Sequence, residues 1–191
     1  DKAVTRLYPK LIPRKGELYT YRLIELDPLH KKYKNGLRID VGFKIHEQLP
    51  DSIKNLQAGQ IIESTKNEKD EYSVSLSKRK DTDLFTYKAC VERVIDGDTF
   101  YVDIDLGFGM GILQYLRLRG INCPEIDTPE GKKARDFVAR ELSKVPYIIL
   151  TSSRSDKYDR YLADVYYGGS MGDEIYLNQH LLDEGLAERM E

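Results

Sequence analysis

The chain has 191 residues, 40% of them hydrophobic, with a formal charge of −2, enough apolar material for one large domain or two small ones. No apolar run is long enough to cross a bilayer and no leader-like segment opens the sequence, which excludes a membrane-spanning helix. Because the first residue is Asp1 rather than Met, the compartment stays open: the cytoplasm is favoured, with secretion after removal of a leader as the alternative.

Residues 1–17 are polar with two prolines and predict an extended arm whose positive charges are solvated. Residues 18–26 (LYTYRLIEL) have strand composition and stop at Asp27-Pro28. The basic segment HKKYKNG at 30–36 reads as a solvated hairpin tip closed by Asn-Gly; its second reading is a loop that grips phosphate and stacks a base. Residues 37–46 (LRIDVGFKIH) alternate as a second strand, 53–56 predict a short helical turn, and 59–64 with 72–77 predict a hairpin around 67–70. The first eighty residues are therefore β-rich. They suit a small barrel, an SH3-like or OB-like binding module, or a degenerate copy of the second half without its IDGDT motif. The polar run SKRKDT (77–82) marks the expected boundary between a region 1–82 and a domain 83–191.

The most informative stretch is 94–125, VIDGDTFYVDIDLGFGMGILQYLRLRGINCPE. Asp96-Gly97-Asp98 breaks an apolar strand with turn chemistry. Phe100, Val102, Ile104 and Leu106 then recur at period two, glycines 107, 109 and 111 mark the far turn, and residues 112–121 return as a strand. On that strand Arg117 and Arg119 alternate with leucines and project from one face. Pro124 ends it. Antiparallel pairing brings Asp98 and Asn122 to the same end of the sheet. Hard cations such as Ca²⁺ take carboxylate, amide and carbonyl oxygens, and arginine forks match phosphate oxygens two at a time, so the combination suggests a site for a phosphodiester.

Further on, residues 129–145 predict a helix with Thr128 as N-cap, Pro129 and Glu130 in its first turn, and Ala134, Phe137, Val138 and Leu142 as its apolar face. Residues 147–151 and 161–167 predict strands, the loop 152–158 delivers Arg160, and 177–184 predict a short helix ended by Gly185.

Three blocks together resemble the thermonuclease, or staphylococcal nuclease, family: IDGDT at 95–99, the arginine strand into a Pro-Glu turn at 117–125, and DKYDRYLADVY at 156–166. The likeness covers about residues 85–191. It implies an α+β, mainly β fold: a five-stranded OB-fold barrel with flanking helices, preceded by the small β-rich region. It also implies Ca²⁺-dependent endonuclease cleavage of DNA and RNA. Carried over by position, Asp98 and Asn122 become side-chain metal ligands, helped by the backbone carbonyl of Cys123. Glu125 orients or deprotonates the attacking water, Arg117 and Arg160 stabilise charge on the phosphate, and Lys157 and Tyr158 flank a nucleotide phosphate. Arg119 has no role in the family pattern and reads as a barrel-surface charge. Asn122 stands where the best-known members have aspartate, so weaker cation binding is expected. The chain also stops at Glu191, where the family continues into nucleotide-stacking tyrosines; a truncated or a shortened C-terminus accounts for this. The competing reading is an OB-fold nucleic-acid-binding module in which hydrolysis has lapsed, and a third is a domain that docks a protein partner through residues 1–82.

Two cysteines without a Cys-x-x-Cys or a Cys/His cluster argue against zinc. Cys90 reads as a buried free thiol, with a bridge to Cys123 as the alternative, and the three scattered histidines support no triad. Net charge hides an asymmetry: residues 1–90 carry 18 Lys and Arg against 13 Asp and Glu, residues 91–191 carry 12 against 19. An acidic nuclease half needs its cations clustered, or help from the basic half, to hold a polyanion.

Overall fold

The computed structural model describes residues 9–26, 36–50, 53–155, 160–169 and 172–190. Five strands come first: β1 (Thr20–Glu25), β2 (Leu37–Gly42), β3 (Ile45–Gln48), β4 (Ile61–Lys66) and β5 (Tyr72–Leu76). They form one antiparallel sheet in the order β3-β2-β1-β4-β5. A 3₁₀ turn at Asp81–Asp83 leads into β6 (Thr86–Asp96), β7 (Thr99–Gly107), β8 (Met110–Leu118) and β9 (Ile121–Asn122). Then come α1 (Pro129–Ser143), β10 (Ile148–Ser155), β11 (Tyr161–Tyr167), β12 (Ile175–Tyr176), α2 (Leu177–Asp183) and β13 (Glu188–Arg189).

The second sheet runs β10-β6-β7-β8-β11-β12, and β10 also pairs with β11. That extra pairing closes β10, β6, β7, β8 and β11 into the expected five-stranded OB-like barrel. Closure follows from the period-two pattern, because Phe100, Val102, Ile104 and Leu106 on β7 and Leu116 and Leu118 on β8 point inward and are fully buried. Helix α1 seals one end with Ala134, Val138 and Leu142. Its start is fixed as expected, Thr128 Oγ1 accepting from the Gly131 N–H at 3.0 Å.

Four local expectations are corrected. Residues 37–46 are a hairpin, not one strand: Gly42, Phe43 and Lys44 all take positive φ (89°, 54° and 63°) and turn the chain between β2 and β3. Residues 53–56 form no helix, Asn55 lying at φ 69°. The arginine strand stops at Leu118, because Gly120 at φ 79° turns the chain into the separate strand β9. Cys90 is exposed, since it faces outward on β6 opposite Asp103; Cys123 is the buried thiol. The basic segment at 30–35 lies outside the described residues.

The two sheets repeat one another. LYTYR (18–22) matches LFTYK (84–88), and DVGF (40–43) matches DLGF (105–108). The backbone repeats too: Tyr19 and Phe85 share φ near 55° (54° and 58°), as do Phe43 and Phe108 (54° and 56°). Asp40 Oδ1 accepts from Gly42 N at 3.0 Å, and Asp105 Oδ1 from Gly107 N at 2.9 Å. The copies clasp reciprocally: Tyr21 Oη donates to Leu106 O and Tyr87 Oη to Val41 O, both at 2.7 Å. Reciprocal contacts of this kind are the signature of a twofold interface. A Cβ on Gly42 would fall on the Tyr87 hydroxyl and one on Gly107 on the Tyr21 hydroxyl, so both glycines are required for the clasp. Of the readings open for the first eighty residues, the degenerate copy is the one these matches favour.

Residues 9–17 have no regular structure and are strapped across the barrel, while their charges at Lys10, Arg14 and Lys15 are exposed as expected. Leu11 is buried, Arg14 N donates to Asp164 Oδ2 at 3.0 Å, and Gly16 N donates to Thr86 Oγ1 at 3.0 Å.

Candidate active site

The turn between β6 and β7 carries the acidic motif. Gly97 does not need a left-handed backbone; a Cβ there would lie 2.7 Å from Cys123 Sγ and 2.8 Å from Ala134 Cβ. The glycine thus lets the turn press against the β9–α1 segment. That closeness places Asp98, 3% exposed, where Oδ2 accepts the Cys123 N–H at 2.7 Å. Its Oδ1 pairs with Arg117 Nη1 at 2.7 Å and accepts from Thr99 Oγ1 at 3.1 Å.

Arg117, 8% exposed, reaches the motif because Thr99 and Arg117 are register partners on β7 and β8. Its Nη2 donates to Asn122 Oδ1 at 2.8 Å, weakly to Ile121 O at 3.3 Å, and lies 3.8 Å from Met190 Sδ. Arg160, immediately before β11, donates to Thr99 Oγ1 at 3.4 Å. Asp98, Arg117, Asn122 and Arg160 therefore meet at one end of the β7–β8 pair.

Asp96 stands beside them. Burial, and then its hydrogen bond with the Asp98 carboxylate and that group's charge, push its pKa up to about 6.

Glu125 is exposed, but its backbone is pinned: its carbonyl accepts from Thr128 N at 3.0 Å and Thr128 Oγ1 at 2.6 Å. Gly131 leaves room for that carbonyl, since a Cβ there would overlap it. Cys123 contributes backbone only; its buried thiol is pushed up to about 12, by burial first and then by the Asp98 charge. Lys157 and Tyr158 lie outside the described residues.

The two arginines expected on one face part company. In the turn that leads through Gly120 into β9, Arg119 forks onto the fully buried Asp164, Nε to Oδ1 and Nη2 to Oδ2 both at 2.7 Å, with Nη2 also 2.8 Å from Ile12 O. It is an internal clamp, not a barrel-surface charge. A cleft of about 770 Å³ opens alongside, lined by Phe43, Phe85, Arg119, Tyr161 and Met190 among others. Among the described residues, none of the site residues expected from the sequence lines it.

Residues 115–191 match the model of the family described as staphylococcal nuclease homologue. The chain is 39% identical over 109 residues to a thermonuclease of Staphylococcus hyicus, covering 53% of this chain and 57% of that protein. It is 36% identical over 118 residues to a thermonuclease of Staphylococcus intermedius, covering 58% and 64%. The chain carries a thermonuclease-like segment. An uncharacterised protein of Methanocaldococcus jannaschii is also similar, 32% identical over 126 residues, with 53% and 58% covered. The chain thus spans between about half and two thirds of the length of these relatives.

The thermonuclease likeness implies Ca²⁺, and the donors in this segment fit such a cation in kind. Asp96 and Asp98 present two carboxylates in hydrogen-bond contact, whose mutual repulsion a cation relieves. The Asn122 amide oxygen and backbone carbonyls are the remaining hard oxygens. The set is thin in charge: among the described residues no three of His, Cys, Asp and Glu gather as a metal cluster. Sequence reasoning passed over Asp96 and Thr99 at this site, although both stand in the IDGDT motif it singled out. No described helix is long and apolar enough to cross a membrane.

Proposed function

We propose that the protein is an endonuclease that hydrolyses phosphodiester bonds of DNA or RNA with Ca²⁺ as its metal. What supports this most is the convergence of Asp98, Arg117, Asn122 and, through Thr99, Arg160 at one end of the barrel. Asp96, Asp98, Asn122 and the Cys123 carbonyl would hold the cation, which when bound supplies charge neutralisation and polarises a phosphoryl oxygen.

The remaining work belongs to the chain. Arg117 and Arg160 fork onto the non-bridging oxygens and hold the charge that builds up at the pentavalent phosphorus. For this the Arg117–Asp98 pair has to open, trading one oxyanion for another. Glu125, on its pinned backbone, orients a water and takes its proton. Lys157 and Tyr158 flank the neighbouring phosphate. One observation favours a second reading, a binding module without hydrolysis: the neutral Asn122 spends its amide oxygen on Arg117.

Incubation with single-stranded DNA, duplex DNA and RNA, in Ca²⁺ or in chelator, separates the two. Metal-dependent cleavage is expected, falling roughly 10²–10³-fold in Glu125→Gln or Arg160→Ala with folding retained. Retention of the strand without cleavage supports the module, and unimpaired cleavage by either variant overturns the assignment.

A further inference from the structure

The outer face of the barrel next to the candidate site carries an aromatic row that the hydrolytic reading leaves unused. On β6, β7 and β8 the cross-strand partners Arg93, Tyr101 and Tyr115 stand side by side. The tyrosine rings are 4.6 Å apart at 38°, and the Arg93 guanidinium lies 6.0 Å from the Tyr101 ring centre. Tyr115 is 41% exposed and the next outward residue, Leu113, is 52% exposed. Large rings packed only for the fold would be covered; Tyr115 presents itself to solvent, with Tyr101 half-buried beside it.

Their position gives the row its meaning. Outward side chains recur every second residue on β7 and β8, and a register shift between Val94 and Asp96 brings β6 into step, so the row beside it is Asp96, Thr99 and Arg117, about 7 Å away along the strands. That neighbouring row holds Arg117, proposed to bind the phosphate, and Thr99, to which Arg160 donates at 3.4 Å. A strand whose phosphate lies between Arg117 and Arg160 therefore lays an adjoining base over Tyr115 and Tyr101, with Arg93 adding a cation.

We infer that Arg93, Tyr101 and Tyr115 form a stacking platform for one nucleobase of a single-stranded nucleic acid, adjoining the phosphate held by Arg117 and Arg160. Stacking on aromatic faces is sequence-tolerant because every base has a π-face. Bases of an intact duplex are already stacked and offer no such face, so the platform selects single strands. Asp103, outward and exposed one row beyond Tyr101, repels a further phosphate and bounds the platform at one nucleotide step. The inference rests on the proposed phosphate site, and its test separates the two.

The test measures binding of labelled oligonucleotides by fluorescence anisotropy, using the full chain carrying Glu125→Gln so that the probe stays intact. Probes are oligo-dT, the same oligomer with abasic sites, and a duplex. Oligo-dT is expected to bind about ten-fold or more tightly than the abasic strand, and Tyr101→Ala or Tyr115→Ala to lose roughly that factor. Tyr115→Phe, which keeps the ring, restores it. Circular dichroism melts show that the alanine variants are folded; if one is not, Arg93→Gln serves in its place, with a smaller loss expected. Equal affinity of the unaltered platform for oligo-dT and abasic strands, or undiminished affinity of folded alanine variants, overturns the platform while metal-dependent cleavage still stands. Absence of both binding and cleavage overturns the platform together with the nuclease reading.

Discussion

Arg117 holds Asn122 and Asp98 with one guanidinium, Nη2 to Asn122 Oδ1 at 2.8 Å and Nη1 to Asp98 Oδ1 at 2.7 Å. The amide needs no counter-charge, so Asp98 alone neutralises the arginine in this triad. Asn122→Asp adds a second oxygen and a negative charge facing the acidic turn. Since cation affinity tracks ligand charge, Ca²⁺ binding is expected to tighten roughly ten-fold, with cleavage reaching half-maximum at correspondingly lower Ca²⁺. Calorimetric titration checks this, and an unchanged affinity removes Asn122 from the cation's surroundings.

Gly131 illustrates how far the site reaches into the fold. In the first turn of a helix, replacing glycine by alanine usually helps by up to about 1 kcal/mol. Here the new methyl would overlap the Glu125 carbonyl and stand 2.8 Å from the Pro124 carbonyl oxygen. Gly131→Ala is therefore expected to cost roughly 1–3 kcal/mol and to displace Glu125. Urea unfolding and cleavage rate should both fall; a variant that is more stable and fully active would show that the loop absorbs the methyl freely.

Asp96 makes stability depend on pH in an unusual direction. Folded, it keeps its proton to about pH 6; unfolded, it releases it near 3.8. Between these values the native chain binds more protons than the unfolded one, so stability drops as pH rises through the window and stays lower above it. Asp96→Asn removes this contribution. In chelator at pH 7.5 the variant is expected to melt roughly 2–4 °C higher, with little difference at pH 4. A variant no more stable than the parent at pH 7.5 would mean that neither burial nor the Asp98 charge disfavours the ionised Asp96 carboxyl.

The barrel, and the meeting of Asp98, Arg117 and Asn122 at its end, were legible because both are written in local patterns. Alternation in residues 100–106 gave the inward face of β7, and the IDGDT and Pro-Glu turns gave the ends that meet. What escaped depends on single backbone angles and on distant partners. β8 ends at Leu118, which leaves Arg119 in the turn and sends its side chain to Asp164, forty-five positions away, and no spacing rule announces such a partner. Cys90 looked buried because its neighbours alternate, but the alternation is out of step with it: Ala89 faces the core and Cys90 faces out. The repeat between the two halves was hidden for a different reason. The matching positions are clasp and turn residues, such as Tyr21 with Tyr87 and Gly42 with Gly107, whereas the acidic motif IDGDT that marks the second half has no counterpart in the first.

Asp164 should be among the most sensitive positions of the chain. Fully buried, it accepts from Arg119 Nε and Nη2, from Arg14 N at 3.0 Å and from Tyr176 Oη at 2.5 Å, tying β11, the β8–β9 turn, β12 and the arm of residues 9–17 to one carboxylate. Asp164→Ala leaves the Arg119 cation without its counter-charge and is expected to cost roughly 3–5 kcal/mol. Replacing both partners with apolar residues, Arg119→Met with Asp164→Leu, removes the stranded charge and should recover most of that loss. Urea unfolding of the three proteins measures the difference. If the double variant is as unstable as Asp164→Ala, the loss comes from releasing the arm rather than from the buried charge, and limited proteolysis should then cut within residues 9–17 in both variants and not in the parent.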